Sequence, residues 1–421
     1  MEVTDKMKTV EYKLPEKIDL ENVNLFREQI NQLDIADDTE LVIFDGSDLS
    51  YISSFGLRLF LHMVKNHNSK VLIDNVSDEI YEIFAMTGFT KIVKVRKALN
   101  YVDVSNLEVI GRGAFGSVYK LNDEQVLKVF EGENSRERLD AIVDNTRTAF
   151  VNGIPTIIPF ETVITDRGLG LVSEYIYSDV LSVKAHSEPE RIPEYAGLMA
   201  DMSKKLVLTK LEGDSLRYYK DKIASDIADI KDMMTEDDYD LLQGYLKLIT
   251  DTDYCIHGDF HARNVMMMDD EVVLIDMDDF GRGHPVWDIS GLILPYKICV
   301  DRPDLVKLTF DLPDELPYDD FFFSLYNLTK EEATVFFNEY IDRYFHGISE
   351  ERKQNCMKLA WCYADCLVTR IISLNIRGRE LSPEILARKK IVIDFFLDEL
   401  RKYSKDEIRE FFASWPTHGE M

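Results

Sequence analysis

Along the first hundred residues, short apolar runs alternate with longer stretches of helical spacing. "ELVIFDGSDL" (40–49), "KVLIDNV" (70–76) and "KIVKV" (91–95) are rich in β-branched residues and read as strands. Between them, "FGLRLFLHMVKNH" (55–67) and "SDEIYEIFAMTGF" (77–89) repeat apolar positions every three to four residues, the period of a helix with one buried face. "PEKIDLENVNLFREQINQL" (15–33) predicts a turn and then a helix begun by Asp19 or Asn22, whose side chains can accept from first-turn amides. Such alternation predicts a small α/β domain whose sheet is covered on one side by helices.

Near residue 104 the rhythm changes. "NLEVIGRGAFGSVYKLNDEQVLKVF" (106–130) reads as two or three strands joined by tight turns, and beyond "LVSEYIYS" (171–178) the pattern is helical as far as "ELRKYSKDEIREFFASW" (399–415). A β-rich small lobe before a helical large lobe is α+β and bilobal. The expected domains are 1–103 and 104–421, the second with an N-lobe over 104–177 and a C-lobe over 178–421.

Of 421 residues, 45% are hydrophobic and 30% charged, which is ordinary for a globular protein with a large core. The net charge of −28 is not ordinary. Such a field repels nucleic acid backbones and anionic membranes, so neither is an expected partner. ATP would be repelled as well, unless a metal and a cluster of donors offset the charge. Five cysteines in a chain whose start shows no signal peptide predict reduced thiols and a cytoplasmic location. In "CMKLAWCYADCLVTRII" (356–372) only Cys362 and Cys366 share a helical face, so a buried helix is expected rather than a metal site. No apolar run is expected to approach the ~20 residues of a membrane-spanning helix.

Three stretches carry chemistry. "IGRGAFGSVYK" (110–120) sets glycines at 111, 113 and 116 and is followed by strands rather than a helix. That makes a hairpin whose backbone amides could lie close over phosphates, or an ordinary glycine turn. Lys128 sits inside the apolar strand "VLKVF", where an unpaired ammonium is expensive. A phosphate and a helix carboxylate would resolve that cost, as would snorkelling from an edge strand. "CIHGDFHARNVMMMDDEVVLIDMDDFG" (255–281) places Asp259, Asn264 and Asp276 among residues that otherwise read as buried strand.

Residues 8–102 resemble the STAS domain of bacterial anti-sigma factor antagonists, through "LPEKIDLENVNLFREQI", "FDGSDLSYISSFGLRLF" and "EIFAMTGFTKIVKV". In that family the phosphorylated serine immediately precedes a loop glycine at a helix start. Here Phe55 precedes Gly56, so the usual switch is not expected. Ser54 is then a weak substitute acceptor, or Ser53 and Ser54 are helix caps, and the domain reads as a regulatory or docking module for a protein partner.

Residues 104–380 resemble the protein-kinase-like superfamily, nearest the aminoglycoside phosphotransferase and choline kinase branch, in their glycine loop, strand lysine, "HGDFHARNVM" and "VVLIDMDD". The resemblance implies ATP and Mg²⁺ as cofactors. It implies that Asp259 is catalytic, orienting or deprotonating a substrate hydroxyl, and that Asn264 and Asp276 hold Mg²⁺. Lys128 contacts the α/β-phosphates, the backbone around Gly111, Gly113 and Gly116 covers them, and the Glu174–Ile176 link meets the adenine. Asp288 braces the catalytic loop, while His257 and His261 shape it. Lys128 pairs with a carboxylate on the next helix, Asp144 by spacing or else Glu137. Asp278 and Asp279 add to the metal site or, as the favoured reading, are solvated turn residues.

Asp288 follows Asp276 by only 12 positions, too few for the activation segment that holds a peptide substrate, so a small-molecule hydroxyl is the expected acceptor. Acidic and aromatic residues in "DRPD" (301–304) and "DLPDELPYDDFFF" (311–323) suit a cationic acceptor, or are solvated loops. The alternatives to such a kinase are a nucleotide-binding signalling scaffold without turnover, and a protein kinase acting on STAS-type serines.

Overall fold

The computed structural model describes residues 8–33, 39–66, 70–113, 116–130, 135–211, 216–268, 271–377 and 379–421. The chain forms two compact units, Met1–Asn106 with Thr162–Arg167, and Leu107–Glu161 with Gly168–Met421.

In the first unit, strands β1 (Thr9–Lys13), β2 (Leu41–Asp45), β3 (Lys70–Val76) and β4 (Lys94–Lys97) form a parallel sheet in sequence order. Parallel neighbours need crossovers. Helices α1 (Val23–Asn31), α2 (Ser54–Asn66) and α3 (Asp78–Met86) supply them. On β2 Val42 and Phe44 are buried, while Leu41, Ile43 and Asp45 between them are half-exposed, so one face of the sheet is packed. Phe60 of α2 meets Phe44 edge-on at 5.2 Å, and Phe84 and Phe89 complete the aromatic core.

Neither predicted helix starter caps a first-turn amide of α1 with its side chain; Asp19 instead shapes the turn before the helix. Asn22 immediately precedes α1, and Asp19 Oδ1 accepts from the amides of Glu21 and Asn22. Ser77 caps α3 by accepting from the Ile80 amide. The last strand lies further along than "KIVKV", because a 3₁₀ turn over Phe89–Lys91 first carries Phe89 into the core. At the start of α2, an added Cβ on Gly56 would fall 2.6 Å from Ile18 Cγ2, so packing there admits only glycine. Ser53 Oγ lies 3.5 Å from the Gly56 amide, in the capping position, and Phe55 is exposed. Asn100–Val102 pairs in parallel with Val163–Thr165, which ties residues 162–167 to this unit.

In the second unit β5 (Glu108–Gly113), β6 (Gly116–Lys120), β7 (Gln125–Phe130) and β8 (Gly168–Glu174) are antiparallel neighbours in that order. Helix α4 (Arg136–Val151) follows β7, its first turn capped by Ser135. The large lobe contains α5 (Ile192–Leu208), α6 (Tyr219–Ala228), α7 (Val286–Ile293), α8 (Lys330–Tyr344), α9 (Glu350–Ile376) and α10 (Pro383–Leu400).

Helix α9 corrects one expectation. By length and composition it is long and apolar enough to cross a membrane. Here it is the central helix of the lobe, burying Cys356, Cys362 and Cys366 together with Asp365 and Arg370. Ser290 Oγ of α7 donates to the Ala360 carbonyl of α9 at 2.8 Å, an approach that only small residues permit.

Candidate active site

The glycine hairpin has a structural reason of its own. Gly116 has φ +153°, and a Cβ there would lie 2.0 Å from the Val129 carbonyl oxygen, so β7 passes too close for any side chain. Gly111 lacks that constraint, its Cβ position being 3.6 Å from Val118. Gly113 ends β5 opposite Gly116, and residues 114–115 between them lie outside the described residues.

Lys128 projects from β7, an interior strand of this sheet, so its cost is not met by snorkelling from an edge. Its Nζ lies 2.7 Å from Asp276 Oδ1 and 3.8 Å from Asp278 Oδ1. Burial opposes its charge, but the two carboxylates outweigh burial and raise its pKa. The predicted helix partner is not used. Among the described residues no α4 carboxylate lies within ion-pair distance of Lys128, and both Asp144 and Glu137 are exposed. Helical phase explains this, since the face of α4 turned to the Asp276–Asp279 loop carries Arg138, 3.6 Å from Asp278, and Asn145, which reaches the Met277 carbonyl.

The loop from His257 to Asn264 is held from behind. Asp288, near the N-terminus of α7, accepts from the His257 amide at 3.0 Å and the Gly258 amide at 2.8 Å. Burial pushes its carboxyl up, while His257 and those two amides pull it back. His257 Nε2 donates to the Ile275 carbonyl at 3.0 Å, which leaves Nδ1 to accept from the Asp259 amide at 3.3 Å. Gly258 sits at φ +81°, and a Cβ there would meet the Asp279 carbonyl oxygen at 2.6 Å, so the two loops touch through this glycine.

Asn264 Nδ2 donates to the Asp259 carbonyl oxygen at 2.9 Å and to Asp259 Oδ2 at 3.1 Å. The Asp259 side chain is 53% exposed, open to solvent on one side with dense protein around it. Enclosure alone would raise its pKa. His261, His257 and Arg370 outweigh that and hold the carboxylate below its ordinary range.

Asp276 follows β-strand Glu271–Leu274 in the left-handed region at φ +61°, uncommon for a residue with a side chain, and its carboxylate meets Lys128. Burial would raise Asp276, but Lys128 prevails and its pKa is lowered. Asp278 and Asp279 are not the solvated turn residues expected of them. Asp278 lies between Lys128 and Arg138, its carboxyl pushed up to about 7 by burial first and then by Asp276. Asp279 is bound to Arg370 at 3.0 Å and to Lys222.

Arg370 anchors a network that sequence reasoning missed. It donates to Asp226 of α6 at 2.8 Å, to Tyr219 Oη at 3.0 Å and to Asp279, and Tyr219 Oη donates to the Gly258 carbonyl at 2.6 Å. One buried guanidinium on α9 thus holds both loops. Its partners lie 91 to 151 residues away, and the only local hint was a charge inside the apolar "DCLVTRIISL".

At the link between lobes the Glu174 amide donates to Ile158 and the Tyr175 amide to Glu124. The amide of the buried Ile176 has no hydrogen-bond partner among the described residues. Asp276, Asp278 and the amide oxygen of Asn264 are hard oxygen donors of the kind Mg²⁺ takes, and two crowded carboxylates gain from a cation between them.

A four-stranded antiparallel run carrying a lysine, opposed to a loop pair bearing Asp259, Asn264 and Asp276, defines a phosphotransferase of the protein-kinase-like fold. Residues 106–311 match the phosphotransferase enzyme family, APH, and residues 1–102 match the STAS domain, so the chain joins a STAS domain to a member of the APH family. Among solved structures, ADP-bound aminoglycoside phosphotransferase APH(2'')-Ib is 17% identical, with 77% of this chain and 98% of that one covered and a TM-score of 0.43. The gentamicin complex of APH(2'')-IIa is 18% identical, with 79% and 99% covered and a TM-score of 0.43. A choline/ethanolamine kinase family protein from Mesorhizobium loti is 15% identical, with 71% and 93% covered and a TM-score of 0.42. No curated protein sequence matches the chain.

Proposed function

We propose that the protein is a Mg·ATP-dependent kinase that transfers the γ-phosphate to a hydroxyl of a small molecule, with the STAS domain as a regulatory or docking module. The observation that carries this reading is the convergence of Lys128 on Asp276 at 2.7 Å, across 148 residues of chain, beside a catalytic loop in which Asn264 holds Asp259.

On this reading Lys128 exchanges part of its contact with Asp276 for the α/β-phosphates. The amides of the Gly111–Gly116 hairpin cover the phosphates, and the unpartnered Ile176 amide takes the adenine edge. Asn264 and Asp276, with Asp278 beside them, would hold Mg²⁺, which neutralises phosphate charge during transfer. Asp259 receives the acceptor hydroxyl. Because its carboxylate is held below its ordinary range, it is a weak base, so orienting the nucleophile outweighs early proton abstraction.

The path from Asp276 to Asp288 leaves no room for a peptide platform, which supports a small acceptor. The acidic field favours a cationic one. Five free, buried cysteines suit the reducing cytoplasm.

The test needs no known acceptor, because water can stand in for the hydroxyl. Asp259→Asn should leave Mg·ATP affinity nearly unchanged and lower ATP hydrolysis by about 10²-fold, the low end of general-base loss. Equal hydrolysis by both proteins would refute the role of Asp259. Wild-type protein showing neither hydrolysis nor transfer to any amine, sugar or amino-alcohol would point to a scaffold instead.

A further inference from the structure

A pocket of about 370 Å³ lies in the helical lobe between the segment 297–302, α9 and α10. None of Lys128, Asp259, Asn264, Asp276 or Asp288 lines it. Its volume falls within the ~300–1,000 Å³ of small-molecule sites. Four of its walls are the aromatic rings of Trp361, Phe395, Phe396 and Tyr403.

Apart from Lys358, whose ammonium lies 5.4 Å over the Phe411 ring, the charges around it are matched among themselves, with one exception. Lys297 faces Asp301 at 3.5 Å, and Lys402 binds Glu399 at 2.5 Å. Arg302 binds Asp304 at 2.8 Å with its guanidinium 4.3 Å over the Phe395 ring. Asp365 is the exception. It lines the pocket at 5% exposure, and its carboxyl has no hydrogen bond or ion pair among the described residues. A buried carboxyl without a donor is costly, and an apolar side chain would close this wall at less cost.

We propose that this pocket binds a small organic amine, its ammonium on Asp365 and its apolar body against the rings of Trp361, Phe395, Phe396 and Tyr403. Aromatic faces favour a cation, and a carboxylate fixes where it sits. Burial drives the Asp365 carboxyl well above its ordinary range, which disfavours its charged form while the pocket is empty. An ammonium against it favours the charged form, so any proton the carboxyl holds is released to solvent on binding. The charge balance closes without any other reactant.

The probe is 2-phenylethylamine at millimolar concentration, with 2-phenylethanol as its neutral counterpart. Titration calorimetry in buffers of different ionisation enthalpy reads both affinity and proton release. Wild type should bind the amine at least tenfold more tightly than the alcohol. Asp365→Asn should lose at least tenfold, while Asp259→Asn binds as wild type does. Should Asp365→Asn fail to fold, Trp361→Ala removes an aromatic wall at a partly exposed position and should show the same loss. No binding of the amine, equal binding by Asp365→Asn or Trp361→Ala, or preference for the alcohol would overturn the proposal. Loss of binding in Asp259→Asn would do so too, by placing the amine in the transfer site; because that arm is separate, failure here leaves the kinase reading standing.

Discussion

Arg370→Ala removes a side chain that holds Asp279 directly and the Gly258 loop through Tyr219. The guanidinium is 9% exposed, and its partners Asp226 and Asp279 are 8% and 15% exposed, so the pairs are little screened by water. Breaking a buried pair from one side costs about 3–5 kcal/mol, because a charge is left behind. Here each carboxylate keeps a second cation, Arg377 on Asp226 at 2.7 Å and Lys222 on Asp279, so the low end, about 3 kcal/mol, applies. At roughly 2–4 °C per kcal/mol, the melting point should fall by about 6 °C or somewhat more.

Turnover should fall further than stability requires. Tyr219 would no longer be held against the Gly258 carbonyl, nor Asp279 against α9, and a displacement of about 1 Å at a reacting group costs about 10²-fold. The guanidinium also helps hold Asp259 below its ordinary pKa. Without it that pKa rises, and the acid limb of the pH–rate profile moves to higher pH. ATP hydrolysis measured well below both melting points separates the two effects, and Arg370→Lys should recover part of each. A variant that melts lower but keeps its turnover and acid limb would show that Arg370 only stabilises the lobe. An unchanged melting point would refute the network itself.

Asp276→Ala should abolish Mg²⁺-dependent protection by ATP against thermal unfolding while leaving a folded protein, and unchanged protection in calorimetry would count against its place at the metal. Gly116→Ala should cost about 1–3 kcal/mol, since its Cβ would meet the Val129 carbonyl oxygen at 2.0 Å with φ at +153°; chemical denaturation matching wild type would mean that β7 yields freely. His284 is buried against Phe412 and Trp415, and burial pushes its pKa down to about 3. The unfolded chain therefore takes a proton near pH 6.5 that the native protein refuses, and stability is lost as pH falls from about 6.5 towards 3. His284→Asn should flatten that slope between pH 7 and 5, and equal slopes in urea titrations would refute the assignment.

Much of the architecture was legible because it rests on local periodicity. The strand–helix alternation of the first unit and the change of rhythm near residue 104 come from side chains that must face one core, whatever their partners are. The glycine hairpin, the lysine inside an apolar strand and the loop carrying Asp259 and Asn264 were legible for a related reason. Each places a residue type where it would be expensive without a ligand or a close backbone neighbour. Gly116 shows the limit of that reasoning, since its want of a side chain is explained by β7 passing behind it rather than by a phosphate.

Other features have no local signature. The partner of Lys128 turned on the phase of α4, which sends Asp144 outward and leaves Asp276 to take the ammonium. Asp278 and Asp279, two acids in a turn, look solvated until Arg138, Arg370 and Lys222 arrive from three other segments. Helix α9 reads as an interrupted apolar run because its charges, Asp365 and Arg370, are counted against burial. In the folded lobe one of them ties two loops together and the other lines a pocket.

By itself the sequence determined the two-part organisation, the fold classes and the residue types available for phosphoryl transfer, because these depend on spacing along the chain. Which carboxylate meets Lys128, which acids are buried, and that Tyr219, Asp226 and Arg370 stand behind the site were decided only by tertiary structure. Electrostatic pairing acts over a few ångströms in space and is blind to separation in sequence.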